Sequence, residues 1–406
     1  MPTVPSRPSA AQQPDASPAL EVFRVFLKLG LTSFGGPVAH LGYFRSECVS
    51  RRRWLDDSHY SDLVALCQFL PGPASSQVGI ALGLGRAGWR GACAAWLGFT
   101  LPSALLLILF GMGLAAWSAW ISPAALHGLK IMAVAVVAQA VLGMAKSLCP
   151  DRRRRMIALA AAGMAILLPS TAGQVLAICI GGTVGCYLPA VPPPSGNAEP
   201  GCPISRSLGL VLLLSCAGLL PVLMIGAALS GGGFLAAFAE FYRAGLLVFG
   251  GGHVVLPVLQ ASVVAPGWVG NDIFLAGYGA AQAVPGPLFT FAGFLGAVMA
   301  VPPGGWLGGF LMIFAIFLPS FLMVPGALPF WAHWRRHDAV RRALAGINAA
   351  VVGILAAALY DPVWTSAIQG RVDILLALVA YALLVFGRLS PVLVAFLTAG
   401  AAWTIG

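Results

Sequence analysis

The sequence predicts an all-α polytopic membrane protein of two homologous halves, arranged as inverted repeats, with helices broken or turned back at Pro-Gly-Pro. Three observations lead there. Hydrophobic residues make up 59% of the 406-residue chain and charged residues only 9%, where a soluble domain carries about 25% charged residues. Apolar runs recur along its whole length, and the first half can be laid over the second.

Taken in order, residues 1–19, MPTVPSRPSAAQQPDASPA, lack the apolar core of a signal peptide and read as a disordered tail. Apolar runs near 92–116, 129–148, 207–230, 306–326, 343–360 and 371–387 approach the about 20 residues a spanning helix needs. Shorter runs lie at 156–169, 171–189 and 389–405. With two interrupted segments, this gives roughly nine to thirteen membrane elements. The Pro- and Gly-rich strip at 191–206 reads as a linker between a first repeat domain, 20–190, and a second, 207–406.

The repeat is explicit. FLKLGLTSFGG (26–36) overlies FYRAGLLVFGG (241–251), pairing Lys28 with Arg243 and Gly35-Gly36 with Gly250-Gly251. After a one-residue slip, Gln68 meets Gln282 and Pro71-Gly72-Pro73 meets Pro285-Gly286-Pro287. Further on, Gly88-Trp89 meets Gly305-Trp306, Leu101-Pro102-Ser103 meets Leu318-Pro319-Ser320, and Gly128 meets Gly346.

Equivalent loops differ in charge. Arg45 and Arg51 to Arg53 face the uncharged QASVVAPGWVGN (260–271), Arg86 and Arg90 face VPPGG (301–305), and WSAWISPAAL (117–126) faces HWRRHDAVRR (333–342). By the positive-inside rule the halves then lie upside down relative to each other. If residues 59–84 enter and leave on one side, the loops holding Arg51 to Arg53, Arg86 and Arg90, and Arg152 to Arg155 all face the cytoplasm, which favours re-entrance. The net charge of +10 thus orients the chain in a lipid bilayer and does not imply nucleic acid.

Eight cysteines are scattered without a C-x-x-C pair and read as small buried residues, Cys67 beside Gln68 being the one to watch. The six histidines never fall at ligand spacing on an apolar face, so neither a metal nor a cofactor is expected. Acid–base or metal chemistry wants clustered Asp, Glu or His, and no such cluster falls on the apolar segments; an enzyme is not expected.

Proline lacks an N–H and blocks the carbonyl one turn earlier, so Pro-Gly-Pro ends one helix and lets another begin. Backbone freed at membrane depth is tolerated where it lines a cavity or is buried in protein. A helix starting after Pro73 aims the N–H groups of Ala74, Ser75, Ser76 and Gln77 at that cavity, a site for an anion. The second copy offers Leu288, Phe289, Thr290 and Phe291, keeping a hydroxyl where Ser76 pairs with Thr290 and losing it where Ser75 becomes Phe289. Gln68, Gln282 and the backbone at Gly35, Gly36, Gly250 and Gly251 add donors.

A charged side chain at the bilayer centre costs at least about 2.5 to 3.5 kcal/mol on insertion scales. Lys28 and Arg243 therefore either draw an anion into the site or snorkel to the interface. His40 and His253, which titrate near neutrality when unperturbed, are candidates to carry a proton or are interfacial histidines. Glu240 is a third candidate, with pairing to Arg243 at helical spacing as its simpler role.

FGGPVAHLGYF (34–44), QFLPGP (68–73) and RAGWRGACAAWLGFTLPS (86–103), with the echoes FGGGHVVLPVL (249–259), QAVPGP (282–287) and FLPS (317–320), resemble the chromate ion transporter family in its long two-domain bacterial form. The resemblance covers about 20–400. It implies an inner-membrane efflux protein that exports chromate, confers chromate resistance and is driven by the proton gradient or membrane potential, with sulfate as a structural mimic. Phe-Gly-Gly-Pro in one half against Phe-Gly-Gly-Gly in the other puts equal roles for the halves in question. An importer or exchanger of sulfate or another oxyanion is the alternative. Homodimers are common among transporters of this size, though no feature demands one.

Overall fold

The computed structural model describes residues 17–34, 36–116, 123–189, 204–249, 254–334, 337–387 and 389–405. All of its regular elements are helical. In the first half they are α1 (Pro18–Thr32), α2 (Gly36–Phe44), α3 (Asp57–Phe69), α4 (Ala74–Ala116), α5 (Pro123–Leu148), α6 (Arg152–Leu167) and α7 (Thr171–Gly185). The long α8 (Arg206–Leu229) follows. The second half holds α9 (Phe234–Leu247), α10 (Val255–Val263), α11 (Asn271–Ala283), α12 (Phe291–Val298), α13 (Gly305–Ala327), α14 (Trp331–Trp334), α15 (Asp338–Ala358), α16 (Thr365–Ala367), α17 (Arg371–Val385) and α18 (Pro391–Ile405).

Short polar residues set many of the starts. Asp56 accepts from the His59 N–H at 2.8 Å, Asp151 from Arg154 at 3.0 Å, Ser170 from Gly173 at 3.2 Å and Ser205 from Leu208 at 3.3 Å, each satisfying a donor the helix cannot. Five stretches among the described residues are long and apolar enough to cross a membrane: Ala74–Leu114, His127–Leu148, Arg206–Leu229, Gly305–Trp334 and Asp338–Ala367. The run expected at 371–387 is shorter as a helix, because α17 ends at Val385 and Gly387 donates back to the Ala382 carbonyl at 3.0 Å. The expected tail falls mostly, and the linker largely, outside the described residues.

The repeat in sequence is a repeat in structure. α4 reverses at Ala87-Gly88, where Gly88 has φ +61°. Its arms then pack so closely that a Cβ on Gly83 would lie 2.2 Å from the Gly91 carbonyl oxygen; in an unbroken helix these residues would stand about 12 Å apart. In the second half Gly305 has φ +54°, and α12 meets α13 with Gly296 against Gly308 at 2.3 Å by the same measure. Likewise α1 rests on α4 through Gly30 against Phe99, and α9 rests on α13 through Gly245 against Ile316. Such small-residue contacts bring helices together where lipid supplies no hydrophobic drive.

The last helices cross over between halves. α5 packs on α17 and α18, with Gly128 against Thr398, whereas its counterpart α15 packs on α6 and α7, with Gly346 against Gly181. Polar ties follow the same exchange, His127 with Asp373 at 3.0 Å and Lys130 with Asp272 at 2.9 Å. Both main apolar cores mix the halves: Ile131 and Val134 join Phe274, Tyr278 and Phe291 in one, and Phe26, Phe44 and Phe99 join Met323 and Trp331 in the other. α8 packs one face on α9 and α13, where the Tyr242 hydroxyl donates to the Cys216 carbonyl at 2.7 Å, and exposes Leu214, Val222 and Ile225 on its flank, which lipid would cover.

Candidate functional site

At both Pro-Gly-Pro motifs the helix stops and restarts. α3 ends at Phe69 and α4 begins at Ala74; α11 ends at Ala283, and a short 3-10 turn, Leu288–Thr290, leads into α12. The central glycines hold left-handed backbone, φ +118° at Gly72 and +107° at Gly286, which side chains disfavour.

Each break is held by the opposite half. The Gly72 N–H donates to the Val248 carbonyl at 2.6 Å, and the Gly286 N–H donates to the Ser33 carbonyl at 3.0 Å. Ser33 and Val248 are repeat equivalents, both two residues before the Gly of a Phe-Gly-Gly motif. The serines of the repeated Leu-Pro-Ser complete the exchange. A Cβ on Gly72 would stand 3.2 Å from Ser320 Oγ, and one on Gly286 would stand 2.8 Å from Ser103 Oγ.

A cavity of about 370 Å³ opens at the Gly286 break. Its walls bring together Gly36, His40, Gln282 and Gly286 with Ser33 and Gln139. Ser33 Oγ is buried there with no hydrogen-bond partner, and Gln282 Nε2 is buried with only the Tyr278 hydroxyl near it, outside good hydrogen-bond geometry. Leaving a buried polar group unpaired costs about 1–3 kcal/mol. His40 is buried, with Nδ1 3.4 Å from Ser75 Oγ and its ring edge-on to Phe99 at 5.2 Å.

At the Gly72 break the chain fills its own space. Gln77, fully buried, donates from Nε2 to the Pro71 carbonyl at 2.6 Å and lies 3.4 Å from Ser320 Oγ, while its backbone N–H donates to the Pro73 carbonyl. Ser75 and Ser76 are buried beside it, with Ser76 Oγ unpartnered. Across the pair, the Thr290 hydroxyl donates to the Pro287 carbonyl at 2.7 Å, closing the first turn after Pro285 and Gly286.

The remaining expected residues lie elsewhere. Gln68 is exposed at the end of α3. Lys28 is 57% exposed, with Nζ 3.6 Å from Glu47. Arg243 pairs with Glu240 and reaches Ser262 at 3.5 Å, and Ser262 donates to Glu240 at 2.7 Å. Those three residues line a separate cavity of about 510 Å³. Gly35, Gly250, Gly251 and His253 lie outside the described residues. Cys67 is buried and unbridged.

The basic loop of the first half is neutralised locally. Arg52 bridges Glu21 at 3.0 Å and Glu47 at 2.8 Å, Arg51 reaches Glu47 at 3.1 Å, and Arg86 reaches Glu21 at 3.0 Å. Burial pushes the Glu47 carboxyl up, but hydrogen bonds from Arg52 and Arg51 outweigh it and hold the group below its usual range.

Sequence reasoning passed over Ser33, Gln139 and the side chain of Gln77. For Gln77 a signal existed, its place four residues after Pro73; Ser33 follows Thr32 and Gln139 stands alone in an apolar run, and neither has a polar repeat partner. Among the described residues no group of three His, Cys, Asp or Glu side chains could hold a metal.

The model of the chromate transporter family matches residues 20–186 and 235–404, the two halves in turn. The chain is 29% identical to a chromate transport protein of Pseudomonas aeruginosa over 84% of this chain and 80% of that one. It is also 29% identical to one of Cupriavidus metallidurans, over 91% and 89%, and 26% identical to a probable chromate transport protein of Synechococcus elongatus, over 83% of each. No solved structure matches. With two matched halves, five stretches long and apolar enough to span and relatives along most of its length, this multi-pass membrane protein belongs to the chromate transporter family.

Proposed function

We propose that the protein is a secondary active transporter that exports chromate from the cytoplasm and so confers chromate resistance, with the anion held at the Gly286 break between the halves. The observation that carries this reading is a cavity at that break lined by Ser33 and Gln282, two residues that each bury a polar side-chain atom, Ser33 Oγ and Gln282 Nε2, without a hydrogen bond of good geometry. A tetrahedral oxyanion accepts hydrogen bonds on every face, and neutral donors can hold it without a cation in the wall. Three relatives carry names of chromate transport, and their being transporters argues against catalysis.

In this reading the halves rock about the reciprocal bonds Gly72 to Val248 and Gly286 to Ser33, exposing the cavity alternately. One crossing ahead of the second set of repeated helices would invert it if each set crosses an even number of times, and α8, at the start of the second unit, is long and apolar enough to be that crossing. The 20–190 and 207–406 units are the repeat domains, bound together by the exchange of α6 and α7 for α17 and α18. The proton gradient or membrane potential supplies the drive, with His40 the buried group at the cavity available to carry a proton.

The test is uptake of labelled chromate into inside-out vesicles, energised and de-energised, with sulfate as competitor. Energised accumulation that sulfate inhibits is expected. Sulfate entry into right-side-out vesicles with no chromate flux would replace this reading with an oxyanion importer using the same site.

A further inference from the structure

The antiparallel helices α6 and α7, joined by the short link 168–170, leave between them an apolar groove of about 540 Å³. Ala161 and Ala177 form its floor, and Met156 and Val184 form its walls. At one end the start of α6 and the segment after α7 bring Arg152, Arg153 and Tyr187 to the rim. Neither Arg152 nor Arg153 has an ion-pair or hydrogen-bond partner among the described residues. Their neighbours do: Arg154 is held by Asp151 at 3.2 Å, and Arg155 donates to the carbonyls of Cys149 and Pro150.

We propose that this groove binds an anionic phospholipid, with one acyl chain between α6 and α7 and the phosphodiester on Arg152 and Arg153. The dimensions agree. From Arg152 to Met164 the groove runs about 18 Å along the helix, close to one leaflet of a hydrocarbon core about 30 Å thick. Charge agrees as well, because two free guanidiniums at the mouth of an apolar slot match a headgroup that is anionic and a tail that is not. A free inorganic anion would use the arginines alone and leave the apolar slot uncovered. Tyr187, 83% exposed, stands at the same end, where an aromatic ring with a polar tip belongs to the membrane interface.

Purified full-length protein, stripped of lipid in detergent, is titrated with phosphatidylglycerol or phosphatidylcholine and weighed by native mass spectrometry. Phosphatidylglycerol should be retained roughly tenfold better. Arg152→Gln with Arg153→Gln should remove that preference, and Ala160→Trp, which fills the groove and leaves both arginines, should cut retention of either lipid. Gel filtration verifies the fold of each variant; should the double variant aggregate, Ala160→Trp and the single arginine variants decide. Equal retention of the two lipids by the unaltered protein would overturn the proposal, as would a preference that survives the groove variant. Displacement of phosphatidylglycerol by equimolar inorganic phosphate would overturn it too, by making the site one for a free anion.

Discussion

At the Gly72 break the Gln77 amide turns back onto the Pro71 carbonyl at 2.6 Å. At the Gly286 break the equivalent residue is Phe291, which is packed away against Phe274 at 5.1 Å and Tyr278 at 5.8 Å, and a cavity lined by Gln282 and Ser33 lies open. The same backbone occurs twice; at the first copy the Gln77 side chain fills the space beside the break, with its Oε1 and Ser76 Oγ unpartnered, and at the second a cavity remains. The two halves are alike in how they clasp each other and unlike in the space each leaves beside its break.

The strongest way to break this comparison is to stiffen each glycine. Gly286→Ala puts a side chain at φ +107°, 2.8 Å from Ser103 Oγ; Gly72→Ala puts one at φ +118°, 2.5 Å from Gln77 Nε2. Left-handed backbone costs roughly 1–2 kcal/mol for such a residue, and the contacts add to it. Chromate flux into vesicles should be lost in both. Adding Gln77→Ala should recover part of the Gly72→Ala flux, since the clash goes and the strain stays, but none of the Gly286→Ala flux. Undiminished flux in both glycine variants would mean that the breaks are not where the transporter works.

Gln282 and Gln77 sharpen the contrast. Gln282→Ala removes an amide from the cavity lining, and a hydrogen bond to a charged ligand is worth about 1.5–3 kcal/mol, so on the proposed reading KM for chromate should rise on the order of tenfold or more. Gln77→Ala removes only an internal bond, leaving KM within about twofold while lowering stability by roughly 1–3 kcal/mol, because the Pro71 carbonyl loses its partner. Flux against concentration, with thermal melting of the purified variants, separates the two. A matching rise in KM for Gln77→Ala would make the breaks equivalent sites.

Much of this was legible beforehand because lipid imposes simple rules: a span needs length, so 92–116 and 306–326 stand out, and a Pro-Gly-Pro inside an apolar run can only be a break. The repeat found what the halves share, including Gly72, Gly286 and the Leu-Pro-Ser serines. The cavity is built partly from what they do not share. Ser33 overlies Val248, and by the offset that pairs Gly128 with Gly346, Gln139 overlies Ala357, so a search for matched pairs discards both. The crossing of α5 to α17 and α18 was also beyond reach, since small residues such as Gly128 and Gly346 mark a close helix contact without naming the partner.

Lys28 and Arg243 test the comparison most finely, being the cations that repeat matching would put in the site. Arg243 is partly buried with Glu240, and removing it strands a carboxylate. Arg243→Ala should therefore lower the amount of folded protein, and adding Glu240→Gln should restore both amount and flux. Lys28, more than half exposed beside Glu47, makes the kind of surface pair worth about 0–1 kcal/mol. Because Arg51 and Arg52 still neutralise Glu47 in its absence, Lys28→Ala should transport at close to the unaltered rate. Loss of flux in Lys28→Ala with the protein still in the membrane would show that the anion meets this cation on its route, and that the neutral donors at Gly286 are not the whole of the binding site.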